Sequence, residues 1–140
     1  MTAFGPVVNL ASRLEGMTKT LNAPILLDEA SAASARRLLH SSEARLRRVA
    51  RVRPFGMETT LEVTELLPPA SEPGAPSDEN IGDYEAALDD LIAGRWTAAF
   101  DRLHRVPADD RVKDFLTALI AQHHRTPPEG WNGVISLGTK

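Results

Sequence analysis

The chain has 140 residues, a net charge of −3 and no cysteine. That length suits one ordinary domain or two small ones, the charge does not mark a general nucleic-acid binder, and the missing cysteine excludes disulfides and thiolate metal sites while suiting a reducing compartment. With 42% hydrophobic and 25% charged residues the chain is expected to fold, yet it has no run near the ~20 apolar residues of a membrane span, and residues 1–5 have neither region of a signal peptide.

Leu10, Leu14, Met17 and Leu21 recur at helical spacing and predict a first helix from about Val8 to Leu21. After Pro24, the run Ile25-Leu26-Leu27 reads as a buried strand. Asp28 or Ser31 can cap an alanine-rich helix that continues to about Leu39. Leu46 to Phe55 reads as a strand, Gly56 to Thr60 as a turn, and Leu61-Glu62-Val63-Thr64 as a half-buried strand, so the two strands form a hairpin. Pro68, Pro69, Pro73, Gly74 and Pro76 then mark an extended linker over residues 68–78. A domain boundary is expected there, between residues 1–67 and a helical segment, 79–140.

Beyond the linker, Tyr84, Ala87, Leu88 and Leu91 form one stripe, broken at Gly94. Trp96, Ala99, Phe100 and Leu103 form a second stripe, which ends before Pro107. Asp109 can cap a third helix with Val112, Phe115, Leu116, Leu119 and Ile120 on its apolar face. The tail from Thr126 to Val134 reads as irregular, with Trp131 packed back onto the helices.

Asn9 and Arg13 stand four residues apart on the first helix, so their side chains diverge by roughly 40° and share a face. An amide beside a guanidinium near a helix N-terminus suits a phosphate with a neighbouring hydroxyl. The same pair also suits a cap and a solvated surface arginine.

The stretch Gly5-Pro6-Val7-Val8-Asn9-Leu10-Ala11-Ser12-Arg13-Leu14-Glu15 resembles, in register, the "G-x-x-V-N-x-A-x-R-L-E" helix of class III adenylate/guanylate cyclases. Ala23 to Ala30 looks like the next strand and helix start of that family. Arg51 to Gly56 and Leu61 to Leu66 look like its closing hairpin. The resemblance implies an α+β fold over residues 1–67, the C-terminal fragment of a ferredoxin-like cyclase domain. By the same resemblance Asn9 orients the ribose of ATP or GTP, and Arg13 stabilises charge on the α-phosphate as the 3′-oxygen attacks. Thr2 matches the purine-reading position, where the family carries Asp in many members and Thr in some bacterial ones. The family's triphosphate lysine falls at Phe55, which cannot bind phosphate, leaving Arg53 on the same strand face as the candidate substitute.

Family members carry two metal-binding aspartates upstream of this motif, in a segment these 140 residues do not contain. The resemblance therefore implies magnesium or manganese in the parent enzyme and none bound by this chain alone. It also implies a homodimer or a complementing cyclase protomer as partner, and a cytoplasmic catalytic unit whose parent can be membrane-anchored through an N-terminal region. Tyr84 to Phe100 resembles a tetratricopeptide helix pair, and Pro127-Pro128-Glu129-Gly130-Trp131-Asn132-Gly133-Val134 resembles the "P-P-x-x-W-D-G-V" tail of bacterial class III cyclase extensions, with Asn132 in place of the Asp. That extension is either a docking element for a protein partner or a cap on its own domain. The alternative to a cyclase portion is a non-catalytic helical interaction module carrying a cyclase remnant.

Arg36, Arg37, Arg45, Arg47, Arg48, Arg51 and Arg53 cluster in sequence, without the interleaved aromatics of a nucleic-acid surface. A solvated face, or pairing with the acids between Glu72 and Asp90, is expected instead. His123 and His124 are adjacent and cannot face one metal from one helix side, so no metal site is expected at His104, His123 or His124.

Overall fold

Apolar spacing and capping account for most elements of the computed structural model, which describes residues 16–54 and 58–137. Residues 16–21 are the described part of a helix, α1. Met17 and Leu21 are buried there, continuing the stripe read from the sequence. Strand β1 (Leu26–Leu27) leads into helix α2 (Glu29–Leu38). Asp28 caps α2 by accepting from the Ser31 amide at 2.8 Å, so Asp28 rather than Ser31 holds the cap. Strands β2 (Arg45–Pro54) and β3 (Leu61–Leu67) form the expected antiparallel hairpin.

Helix α3 (Asp78–Ile92) starts at Ser77, whose side chain accepts from the Asn80 amide. It ends at Gly94, where φ is +88°. Helix α4 (Trp96–Leu103) and helix α5 (Lys113–Gln122) follow. All four residues of the first helical stripe, Tyr84, Ala87, Leu88 and Leu91, are fully buried, as are Trp96, Ala99 and Leu103 of the second. Two expectations are corrected. Asp109 caps nothing: α5 begins later, at Lys113, and its N-cap Val112 supplies no side-chain bond. Ile25 is 49% exposed, because it lies just before the two-residue edge strand β1 and outside it. The tail from Thr126 to Val134 is irregular, as expected, and beyond it Ile135–Leu137 forms strand β4, which the sequence reading did not include.

The described residues give an α+β fold with a sheet of order β1-β3-β2-β4. Strand β4 lies parallel to β2, pairing Ile135 with Val52 and Ser136 with Arg53. One hydrophobic cluster takes residues from both sides of the 68–78 segment, including Leu21, Val49, Val52 and Val63 before it and Leu88, Leu91, Trp96 and Ile120 after it. The helices thus lie as a layer against the sheet.

Strand β2 changes face midway. Its pairing with β3 slips between Arg48 and Ala50, a β-bulge at Val49. Before the bulge Arg45, Arg47 and Val49 are buried; after it Ala50 and Val52 are, and Arg51 and Arg53 turn outward. Without the slip, strict alternation would place all four arginines on one face with Val49. Helix α3 satisfies the backbone that the bulge leaves over. Tyr84 donates its hydroxyl to the Val49 carbonyl at 2.7 Å, and the Glu85 carboxylate accepts from the Arg48 amide at 2.8 Å.

The shared core predicts one cooperative unfolding transition. Far-ultraviolet circular dichroism and tryptophan fluorescence should report the same urea midpoint; separated midpoints would show that the two sides of the Pro-rich segment unfold independently. The glycines give a second test. A Cβ on Gly133 would sit 2.9 Å from Ile92 Cγ2, at a φ of +88°. Gly133→Ala should therefore cost about 1–3 kcal/mol. Gly82 lies inside α3 with open space around it, so Gly82→Ala should stabilise by about 0.5–1 kcal/mol in the same urea series.

Candidate functional site

Asn9, Arg13 and Thr2 lie outside the described residues, as does Phe55. Of the residues singled out from sequence, Arg53 is the one the structure describes. It sits near the end of β2, exposed, and its Nη2 donates to Ser136 Oγ of β4 at 2.9 Å. The strand that delivers it next to Ser136 is the one the sequence reading missed.

The other arginines of β2 each meet a carboxylate. Arg45 reaches Asp78 at 3.0 Å and also donates to the Pro68 carbonyl. Arg48 pairs with Asp89 at 3.0 Å, which holds its guanidinium above the ordinary arginine range, although burial opposes the shift. Arg51 faces Glu62 across the hairpin at 3.7 Å. Asp78, Glu85 and Asp89 belong to the acidic stretch between Glu72 and Asp90, so the expected pairing between the basic and acidic segments is present.

Arg47 is the most enclosed of these, at 1% exposure. Its Nε and Nη2 donate to Glu65 Oε1 of β3 at 3.2 and 2.8 Å. Its Nη1 and Nη2 donate to Asp110 at 2.6 and 3.1 Å. Its guanidinium lies 4.8 Å from the centre of the Tyr84 ring. Burial alone would lower the guanidinium's pKa, but the Asp110 and Glu65 contacts outweigh it and the net shift is upward. Burial likewise pushes the Glu65 carboxyl up, against the pull of Arg47, and pushes the Tyr84 hydroxyl up. A cavity of about 500 Å³ opens beside this cluster between Asn22, Pro24, Pro76, Asn80 and Asp109. No sequence motif flagged it; the only signal was a charged residue at an inward position of a strand.

At the other end of the helical layer, Trp96 and Trp131 both donate their indole N–H to the Leu91 carbonyl, at 3.0 and 2.8 Å. They thereby share a carbonyl at the end of α3 that also accepts from the Gly94 amide at 3.1 Å. Trp131 packs back on the helices as expected from sequence, edge-on to Trp96 at 5.1 Å. Among the described residues no three His, Asp or Glu side chains are grouped so as to hold a metal ion. Among them, too, no helix is long and apolar enough to cross a membrane.

Comparison with protein-family models, with curated proteins and with solved structures returns no match to this chain.

The Arg47 cluster makes a stability prediction. Arg47→Ala leaves two carboxylates facing each other without their cation, and should destabilise the fold by about 3–5 kcal/mol in urea unfolding. Glu65 should behave differently. The folded chain holds the Glu65 proton more tightly than the unfolded chain, because its carboxyl is raised by burial. Its contribution is present below the unfolded carboxyl pKa and is lost as pH rises through the raised folded value. Glu65→Gln, which is neutral throughout, should therefore gain stability relative to the parent chain as pH rises across that window. A parent chain that instead gains on the variant would mean that the Arg47 attraction outweighs burial.

Proposed function

We propose that the chain is the C-terminal portion of a class III nucleotide cyclase domain, of ferredoxin-like type, joined to a tetratricopeptide-like helical extension that braces its closing hairpin. The observation that carries this reading is the order of elements: helix, strand, helix and antiparallel hairpin across residues 16–67, in the sequence the Gly5–Glu15 resemblance calls for. The brace is supported by the ion pairs from Arg45, Arg47 and Arg48 to carboxylates after residue 77.

In the proposed chemistry, the ribose 3′-oxygen of ATP or GTP attacks the α-phosphorus and the bond to pyrophosphate breaks. Asn9 orients the ribose and Thr2 contacts the purine. Arg13 meets the negative charge that grows on the α-phosphate oxygens, so it acts on the transition state more than on bound substrate. Arg53 was the candidate to replace the triphosphate lysine. Its bond to Ser136 holds it toward the tail, and that role needs the guanidinium to leave the hydroxyl. The catalytic unit is proposed to work as a homodimer or with a complementing protomer, in the cytoplasm.

Two measurements test this. The chain alone should form no cyclic nucleotide from ATP or GTP with magnesium or manganese. Mixed with a class III cyclase protomer that keeps its metal aspartates but lacks its own motif Asn and Arg, it should restore turnover. Arg13→Ala in the chain should then lower the restored kcat by about a hundredfold or more with little change in KM. Failure of complementation, or equal restoration by Arg13→Ala, would favour a helical interaction module instead; the exposed Ile25, Leu38 and Leu39 side chains are the surface such a module would offer.

A further inference from the structure

The tail does more than close the helical layer. Residues 128–136 pass over the end of α3 and the start of α4, then join the sheet beside Arg53. Gly130 and Gly133 turn the chain at φ values of +74° and +88°. Gly133 lets the backbone lie directly on Ile92, where any side chain would collide. Between this tail, α5 and the end of β2 the fold leaves a cleft of about 380 Å³, lined by Trp131, Arg53, His123, Asn132 and Glu129 among others. That size lies at the small end of the range of roughly 300–1,000 Å³ for small-molecule sites.

Its lining combines fixed aromatic surface with a few unspent polar groups. Both indole N–H groups are committed to the Leu91 carbonyl, so what Trp131 offers a neighbour is its ring. That ring is half-buried and locked against Trp96 at 87°, so little side-chain freedom remains to be lost on binding. His123 engages the Leu119 carbonyl through Nδ1 at 3.0 Å, which leaves Nε2 of the neutral ring as an acceptor. Asn132 accepts the Val134 amide through Oδ1, and its side-chain nitrogen has no partner among the described residues.

Arg53 sets the charge. Arg45, Arg47, Arg48 and Arg51 on the same strand all pair with carboxylates. Among the described residues Arg53 instead has one partner, the Ser136 hydroxyl, and most of its N–H donors are open. Glu129 lines the same cleft, so the two side chains cancel in net charge. Repulsion from Glu129 grows with the charge on an anion, so the lining favours one negative charge over several.

We propose that this cleft binds a planar aromatic ligand carrying one negative charge, with the ring against Trp131 and the anionic group on Arg53. A phosphodiester such as a 3′,5′-cyclic purine nucleotide has this chemistry, and so does an aromatic carboxylate. The cleft stands on its own lining; only the choice of a cyclic nucleotide as the first probe rests on the cyclase reading.

Calorimetric titration of the full chain tests it, with 3′,5′-cyclic AMP and indole-3-acetate as the two sources of the monoanion and with adenosine and inorganic phosphate as the separated parts. At least one monoanion should bind saturably, and about tenfold or more tighter than either part, given what a charge-assisted hydrogen bond contributes. Arg53→Gln, at an exposed position that circular dichroism can confirm as folded, should weaken that binding by about tenfold or more. Absence of saturable binding by both monoanions, or an Arg53→Gln chain that binds as well as the parent, would overturn the proposal. A chain that binds but fails the complementation assay retains this site and loses the cyclase reading; one that complements without binding does the reverse.

Discussion

A guanidinium cannot shed its proton, so burying Arg47 obliges the fold to bring acceptors to it. They come from two places far apart in sequence: Glu65 on the partner strand and Asp110 in the turn between α4 and α5. The ring of Tyr84 covers the same group, and the Tyr84 hydroxyl reaches the bulge two residues further along the strand. Fixing one cation therefore fixes the hairpin, helix α3 and the 107–112 turn relative to each other. The apolar cluster supplies most of the driving force for burial, but it is non-directional. The charge cluster sets where the helical layer sits on the sheet.

This division explains what was legible in the sequence. Helical stripes depend on neighbours three and four residues away, and those of α3, α4 and α5 were readable from spacing. The cap at Asp28, the hairpin and the glycine break at Gly94 are also local. The bulge at Val49 was not readable, because it is a response to α3 as much as to the strand's own residues. Strand β4 was hidden for a similar reason: three residues carry no periodicity, and their pairing partner lies in β2. Asp109 looked like a cap because Asp often is one, yet the turn it belongs to is shaped by the next residue's bond to Arg47. Ile25 looked buried because a short apolar run does not reveal whether its strand is central or at an edge.

The site divides along the same line. Asn9 and Arg13 form a motif in contiguous sequence, and the spacing that singles them out lies in residues 1–15, outside those described. Arg53 was recognisable as a cation on a strand, but its surroundings were not. Trp131 packs inward, as its place in an otherwise polar tail suggests. That the same tail would bring Ser136, Asn132 and an indole face to Arg53 depends on the parallel pairing with β2, a long-range fact.

That parallel pairing also orders events in time. The hairpin partners Val52 and Leu61 are close in sequence, and their loop closes at small entropic cost. Val52 and Ile135 are joined only after the intervening helices have been made and laid down, since the crossover from β2 to β4 runs through all of them. The sheet is thus finished by its most remote strand, and contacts of this separation slow folding. During synthesis the hairpin emerges with one side of β2 unpaired by β4 until Ile135–Leu137 arrive. For that interval the Arg-rich strand is an open edge, and its density of like charge opposes pairing with another copy of itself.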